Sequence, residues 1–281
     1  WLRSLLLNIR QFICNIMIPD AYTIAKYYQE YFEIGRGYGN LLTFGCFNGY
    51  ERLGTLYVNP LAYSEGKIME LNPGEITETV YSSWYTARPE TYTPFEAIPE
   101  PDIKKSDAYS WVKAPRYREL PYEVGPLARM WLCGEYRNGI STMDRTIARV
   151  LEAKKVANII LVLLNNLIPG ICVQKEYGVP QSAYGAGLID TTRGALGHWI
   201  KIENQAIILY QIITPSAWNL STRGRDNLPG PGEKAMIGTM IINPDAPVEL
   251  GRIIRSFDPC VSCATHVYSK GNLIKTIQVV P

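Results

Sequence analysis

One helix signal constrains this chain more than any other feature. Ser141-Thr-Met-Asp144 sets a hydroxyl three residues ahead of a carboxylate, the form of a capping box. Behind it, from about Met143 to Ile168, Ile147, Val150, Leu151, Val156, Ile159, Ile160, Val162 and Leu163 cover a wide arc at helical spacing. A helix apolar around that much of its circumference is predicted to lie centrally in a bundle. Pro169-Gly170 stops it. Its most apolar part, Val156 to Ile168, is interrupted by Asn158, Asn165 and Asn166. That falls short of the ~18 to 20 apolar residues a bilayer span needs, so no transmembrane segment is predicted.

The other elements group around that helix. Leu2 to about Phe32 alternates apolar and polar residues at helical spacing, with a break at Pro19-Asp20. Gly35 to Gly54 reads as loop with short strands. Asn72 to Ser106 holds Pro73, Pro89, Pro94, Pro99 and Pro101, which forbid long regular elements apart from a short helix at Gly74 to Ser83. Its aromatics (Tyr81, Trp84, Tyr85, Tyr92, Phe95) predict a segment packed down on the fold, and an interdomain linker is the alternative. Gly197 to Thr214 reads as a β-hairpin turning at Asn204-Gln205, and Asn219 to Lys234 as loop. Asp245 is placed to cap a last helix, with Pro247 in its first turn, and Asp258-Pro259 ends it. The expected class is α+β and predominantly helical, a buried helix bundle with a small antiparallel hairpin or sheet.

Composition narrows the function. Of 281 residues 47% are apolar and 19% charged, which excludes global disorder. The balance of 28 basic against 26 acidic residues, a net of +2, excludes a strongly basic nucleic-acid binder. Six cysteines are too few and too unevenly spaced for a disulfide scaffold. Cys14, Cys46, Cys133 and Cys172 stand alone, and Cys260 and Cys263 sit together. Histidine occurs only as His198, which on a hairpin face reads as a satisfied core residue, and His266. The chain begins at Trp1 and reads as a fragment or processed chain.

Asp258-Pro-Cys-Val-Ser-Cys-Ala-Thr-His266 is the one segment with chemistry on its face. A Cys-x-x-Cys pair lets two thiolates point at one soft or borderline metal, and an imidazole three residues on reaches the same neighbourhood. A structural zinc needs a fourth ligand that no other cluster supplies. Thioredoxin-type chemistry fits poorly, because that motif opens a helix and this one follows a helix. A buried Cys pair without a role stays open on spacing alone.

The motif resembles the C-terminal signature of the nickel–iron hydrogenase large subunit. Tyr109-Ser-Trp-Val-Lys-Ala-Pro-Arg-Tyr117, Glu123-Val-Gly-Pro-Leu-Ala-Arg129, Arg193-Gly-Ala-Leu-Gly-His-Trp199, Pro215-Ser-Ala-Trp-Asn219 and Ser256-Phe-Asp258 resemble further family blocks, in the family's order. The resemblance spans the chain and corresponds to the C-terminal half or so of such a subunit. It implies a nickel held by four thiolates, two of them bridging to an iron that carries carbon monoxide and cyanide. Cys260 then matches the terminal nickel ligand and Cys263 the nickel–iron bridge. His266 and the backbone carbonyl of Ile212 match ligands of a nearby magnesium ion. Arg193 matches the arginine overhanging the metals, Asp258 a carboxylate beside it, and Ser216 a hydroxyl that hydrogen-bonds a cyanide.

The same resemblance implies reversible cleavage of H2 into protons and electrons, with Cys260 or Arg193 taking the proton. It implies a small subunit with iron–sulfur clusters, nickel-insertion factors and a maturation protease. Residues 1–266 would be the subunit portion and 267–281 a tail removed after His266. Export signals in this family usually sit on the small subunit, so the resemblance implies a compartment set by that subunit: cytoplasmic, or membrane-associated or periplasmic through it. Two departures stand out. The second Cys-x-x-Cys pair of the nickel cage is absent; Cys133-Gly134 resembles only a fragment of it and reads as an ordinary thiol, leaving the isolated chain two thiolates short. Asp190-Thr-Thr192 stands where the family often has Glu-Ala-Pro, which frees a backbone torsion beside Arg193. A non-catalytic subunit of the same ancestry from respiratory complex I and a small zinc-binding module are the alternatives.

Overall fold

The computed structural model describes residues 1–168, 170 and 176–260 in full, with the backbone of strands 263–269 and 272–279. Pro169 and Cys172 lie outside the described residues. Helix accounts for 35% of the chain, so the fold is mixed helix and sheet, not the predominantly helical bundle expected. The difference comes from short extended segments between prolines and glycines, which carry no strong period in the sequence.

α1 (Leu2–Phe12) and α2 (Ile18–Tyr27) run on through a π-helical turn at Ile13–Met17. The break expected at Pro19 is thus a widened turn, which relieves the clash between the ring and the carbonyl four residues back. β1 (Leu41–Thr43), β2 (Leu61–Ser64) and β3 (Lys67–Glu70) form an antiparallel meander. The proline-rich stretch then packs down, as its aromatics suggest. Where a short helix is expected, β4 (Ile76–Thr79) forms instead, its β-branched Ile76, Thr77 and Thr79 favouring the extended backbone. Two short strands, β5 (Tyr85–Thr86) and β7 (Glu100–Pro101), pair with each other, while β6 (Thr91–Tyr92) and β8 (Ala114–Tyr117) flank β4. Val80, Tyr92 and Ala97 give this region a core of its own.

β9 (Glu123–Val124) pairs in parallel with β1 and leads at once into α3 (Pro126–Leu132). α4 (Thr142–Asn165) opens on the expected capping box: the Asp144 N–H donates to Ser141 Oγ at 3.2 Å and the Ser141 N–H to Asp144 Oδ2 at 2.8 Å. Its buried side chains run from Thr142 to Ile159, and its last turns are partly open. Burial is therefore central only for the first three-quarters of the helix. Leu127, Met130, Met143, Ile147 and Ala148 form the core between α3 and α4.

β10 (Ser182–Thr191), β11 (Gly194–Glu203) and β12 (Ala206–Ile213) make an antiparallel meander, of which only the second hairpin is legible in the sequence. Its turn is Asn204-Gln205, with φ of 51° and 60°, the positive values that two-residue hairpins favour. The inner face puts Trp199 and Ile213 against Trp218 in the second core. His198 is not a core residue: it is half-buried on the other face, its Nδ1 2.7 Å from the Tyr210 hydroxyl. The register explains this, since Trp199 takes the inward position. α5 (Pro215–Asn219), α6 (Pro231–Met236) and α7 (Val248–Ser256) follow. α7 starts after Pro247, later than the Asp245 cap predicts. β13 (Cys263–Ser269) and β14 (Asn272–Val279) pair antiparallel, with His266 opposite Thr276.

Candidate active site at the end of the last helix

Three segments distant in sequence deliver side chains to one place. Arg193 sits in the two-residue turn between β10 and β11, Ser216 in the first turn of α5, and Asp258 and Cys260 just beyond α7. The Arg193 Nε–H donates to the Asp258 carbonyl at 2.9 Å and lies 3.4 Å from Asp258 Oδ2. The Cys260 N–H donates to Ser216 Oγ at 3.2 Å, and the Cys260 side chain is exposed. The side chains of Arg193 and Asp258 are 34% and 33% exposed, open enough to meet a ligand. Arg193 donates its Nη hydrogens to no described group.

Local sequence explains each placement. Asp258 ends α7 at a φ of 55°, a left-handed conformation that Asp tolerates better than most residues. Pro259, with its fixed φ and no N–H, keeps the helix from resuming. Thr214 caps α5 by accepting the Ala217 N–H at 3.2 Å, and Pro215 takes the first helical position. Asn219, at the other end of α5, is buried. It accepts the Val124 N–H at 2.9 Å and donates to the Val124 carbonyl at 3.0 Å, which fixes α5 on β9.

Beneath the exposed residues lie two buried ion networks. Arg129 of α3 forks onto Glu152 of α4, with Nε to Oε1 at 2.6 Å and Nη2 to Oε2 at 2.8 Å. It also meets Asp190 Oδ2 at 2.9 Å. Burial alone would lower the Arg129 pKa; the two carboxylates overcome it and hold the guanidinium well above its ordinary value. Burial pushes the Asp190 carboxyl up, against the pull of an arginine that it shares with Glu152. Arg145 makes the second network. It forks onto Glu123 at 2.7 and 2.8 Å, donates to the Gly35 carbonyl at 2.7 Å and lies 3.8 Å from the Phe257 ring centroid. Beside it, Arg149 donates to the Ser256 carbonyl at 2.8 Å, and burial lowers its pKa. Arg145 and Arg149 thus hold the end of α7, from which Asp258 and Cys260 project.

Four of the residues expected from the sequence are therefore together: Arg193, Ser216, Asp258 and Cys260. Ile212 lies in β12, four residues before Ser216 and opposite His198 of β11. Cys263 and His266 are on β13, and their side chains lie outside the described residues. Cys133 has its Sγ 3.4 Å from the Met130 carbonyl, and burial raises its pKa, as befits an ordinary thiol. Among the described residues no group of three or more His, Cys, Asp or Glu is placed to hold a metal ion. Cys260 alone offers a soft, accessible donor there, to which the Cys-x-x-Cys spacing adds a second. The sequence reading missed the roles of Arg129, Glu152, Arg145 and Glu123. The available signal was charge inside apolar runs, which buried pairing requires.

The profile of the nickel-dependent hydrogenases matches residues 1–139 and 134–266. The chain belongs to that family. It is 32% identical over 287 residues to the periplasmic NiFeSe hydrogenase large subunit of Desulfomicrobium baculatum, covering 92% of this chain and 55% of that protein. It is also 32% identical over 339 residues to the hydrogenase-1 large chain of Citrobacter freundii, covering 99% of this chain and 56% of the relative. The crystal structure of the reduced, active Ni-Fe-Se hydrogenase from Desulfomicrobium baculatum superposes with a TM-score of 0.86 at 31% identity, over 91% of this chain and 57% of the other. The chain thus spans little more than half the length of the curated relatives it matches. No helix among the described residues is long and apolar enough to cross a membrane.

Proposed function

We propose that this chain is the C-terminal portion of the large, catalytic subunit of a nickel–iron hydrogenase, which interconverts H2 with two protons and two electrons. The observation that carries this reading is the meeting of Arg193, Asp258, Cys260 and Ser216 from three separate segments. Cys260 and Cys263 would hold the nickel–iron centre through their thiolates, with the Ser216 hydroxyl beside Cys260 as a hydrogen-bond donor to it. The Ile212 carbonyl and His266 would hold magnesium. When bound, the nickel–iron centre supplies the electron storage that H2 cleavage needs.

The chain's own groups do the rest. Asp258 holds Arg193 through both backbone and side chain, leaving its Nη hydrogens to point at a bound group. The Cys260 sulfur takes the proton, because a guanidinium offers N–H donors and no acceptor, and Arg193 orients and polarises. Electrons would leave to a small subunit with iron–sulfur clusters, which also decides the compartment. Nickel-insertion factors and a protease cutting after His266 would complete maturation; the family match also ends at residue 266.

The test is the intact mass and metal content of the complex purified from cells that make it, with H2-dependent dye reduction measured on the same sample. A C-terminus at His266 with about one nickel per chain and H2-dependent reduction is the expected result. Zinc in place of nickel, or no metal and no activity, overturns it in favour of a zinc module or a non-catalytic complex I-like subunit.

A further inference from the structure

We propose that Arg129 is a positioning residue for Arg193, and that its guanidinium supplies the stiffness that the turn residues of this chain lack. The inference rests on the reading of Arg193 as the arginine that faces the metal centre. A guanidinium has five N–H donors in a rigid fork, and Arg129 engages all five. Three go to carboxylate oxygens, two on Glu152 and one on Asp190. The other two go to the Thr191 carbonyl at 2.9 Å and the Thr192 carbonyl at 3.0 Å. These are the two peptide groups that precede Arg193.

From within, the turn has one side-chain bond across it, from the Thr191 hydroxyl to the Gly194 carbonyl at 3.2 Å. Two-residue hairpin turns are ordinarily set by positive φ at the turn residues. Here Thr192 and Arg193 both keep negative φ, and the positive value falls on Gly194, at 127°. No proline stands at 192 to fix the torsion before Arg193. External contacts take over. Asp190 is anchored at its other oxygen by the Phe44 N–H at 2.8 Å, and Glu152 by the Tyr57 hydroxyl at 2.7 Å, so the fork that grips the turn is itself held. On the far side Gly194 presses against Gly125, where an added Cβ would come within 2.6 Å of the Gly125 nitrogen. The turn is held between the guanidinium of α3 and the backbone that opens α3.

A purely structural role would not need the two carbonyl bonds. Glu152 alone neutralises Arg129, and apolar packing replaces many buried ion pairs at no loss of stability. The carbonyl bonds act on direction: they set the peptide planes from which the Arg193 side chain departs.

The test uses the assembled complex carrying Arg129→Lys, which keeps the charge but loses the planar fork. Asp190→Asn serves as a milder second variant. The expected result is normal nickel content and assembly, with H2 oxidation kcat down about tenfold, as small misplacements of a positioned group produce. KM for H2 should stay within about twofold, and crystals should show Arg193 displaced or split. Thr192→Pro should recover about threefold of the lost kcat in the Arg129→Lys background, while changing the wild-type complex by less than about twofold. Thr192 follows an extended residue and its N–H makes no backbone hydrogen bond, so a proline is tolerated there. The proposal is overturned if nickel content, assembly and activity fall together with Arg193 unmoved, or if Thr192→Pro gives no selective rescue. A wild-type complex without nickel defeats the parent reading instead; the position of Arg193 in the variant crystals then still decides whether the clamp acts.

Discussion

Arg193 meets Asp258 twice, at the backbone carbonyl (2.9 Å from Nε) and, more loosely, at the carboxylate Oδ2 (3.4 Å). The stronger contact survives loss of the carboxylate. Asp258→Asn should therefore leave Arg193 in place, costing at most the ~0.2–1 kcal/mol of a solvent-screened ion pair. Asp258→Ala faces a further penalty, because φ is 55° and alanine pays roughly 1 kcal/mol or more to adopt a left-handed conformation that Asn tolerates. Urea denaturation of the two variants should rank Ala below Asn. Equal stability would mean that the left-handed turn at 258 is not what the backbone adopts.

Arg145 carries a larger share of the fold. Its guanidinium and the Glu123 carboxylate are 3% and 6% exposed, so removing one charge strands the other in the interior. Arg145→Met should destabilise by about 3–5 kcal/mol, the range for breaking a buried pair from one side. The double variant Arg145→Met/Glu123→Gln should recover part of that loss, since no unpaired ion is left. Denaturation midpoints measure both, and an additive double variant would rule out the pairing.

How much of this was legible beforehand follows from the range of each interaction. The capping box at Ser141, the Asn204-Gln205 turn and the end of α7 at Asp258 are settled by neighbours three or four residues apart, and the sequence shows them. The Arg129 network joins residues 23 and 61 positions apart, and no local pattern records such a pairing. The strand β10 escaped notice because Gly185 and Gly187 dilute its alternation. Site residues were legible through a family motif, and only for side chains that a ligand would touch. The groups that aim them show in the sequence only as charges inside apolar runs, and which charge meets which is decided by tertiary contacts.

Gly194 is packed tightly against Gly125 beside the site. At Gly194 a Cβ would stand 2.6 Å from the Gly125 nitrogen and 2.6 Å from Val124 Cγ2, at a φ of 127°. Neither the backbone nor the conformation can give way cheaply. Gly194→Ala should cost roughly 1–3 kcal/mol in strain, and should lower H2-dependent activity more than nickel content, since the shift falls on the Arg193 turn. Gly185→Ala is the control, because nothing lies within 4 Å of its added Cβ. Its thermal midpoint should match that of the parent chain.

The cysteines should differ in reactivity by position. Alkylation requires the thiolate. Burial pushes the Cys46 thiol up to about 11, so at pH 8 only about one molecule in a thousand carries the reactive form there. Raising the pH toward 11 increases that fraction and should speed its labelling. Cys260 is exposed and needs no such opening. In metal-free chain treated with iodoacetamide at pH 8, peptide mass spectrometry should find Cys260 modified well before Cys46 and Cys133. In the nickel-loaded complex the order should invert at Cys260 alone, because a sulfur bonded to metal is no longer a free nucleophile. Equal labelling of Cys260 with and without nickel would remove it from the metal site, whatever the activity of the complex.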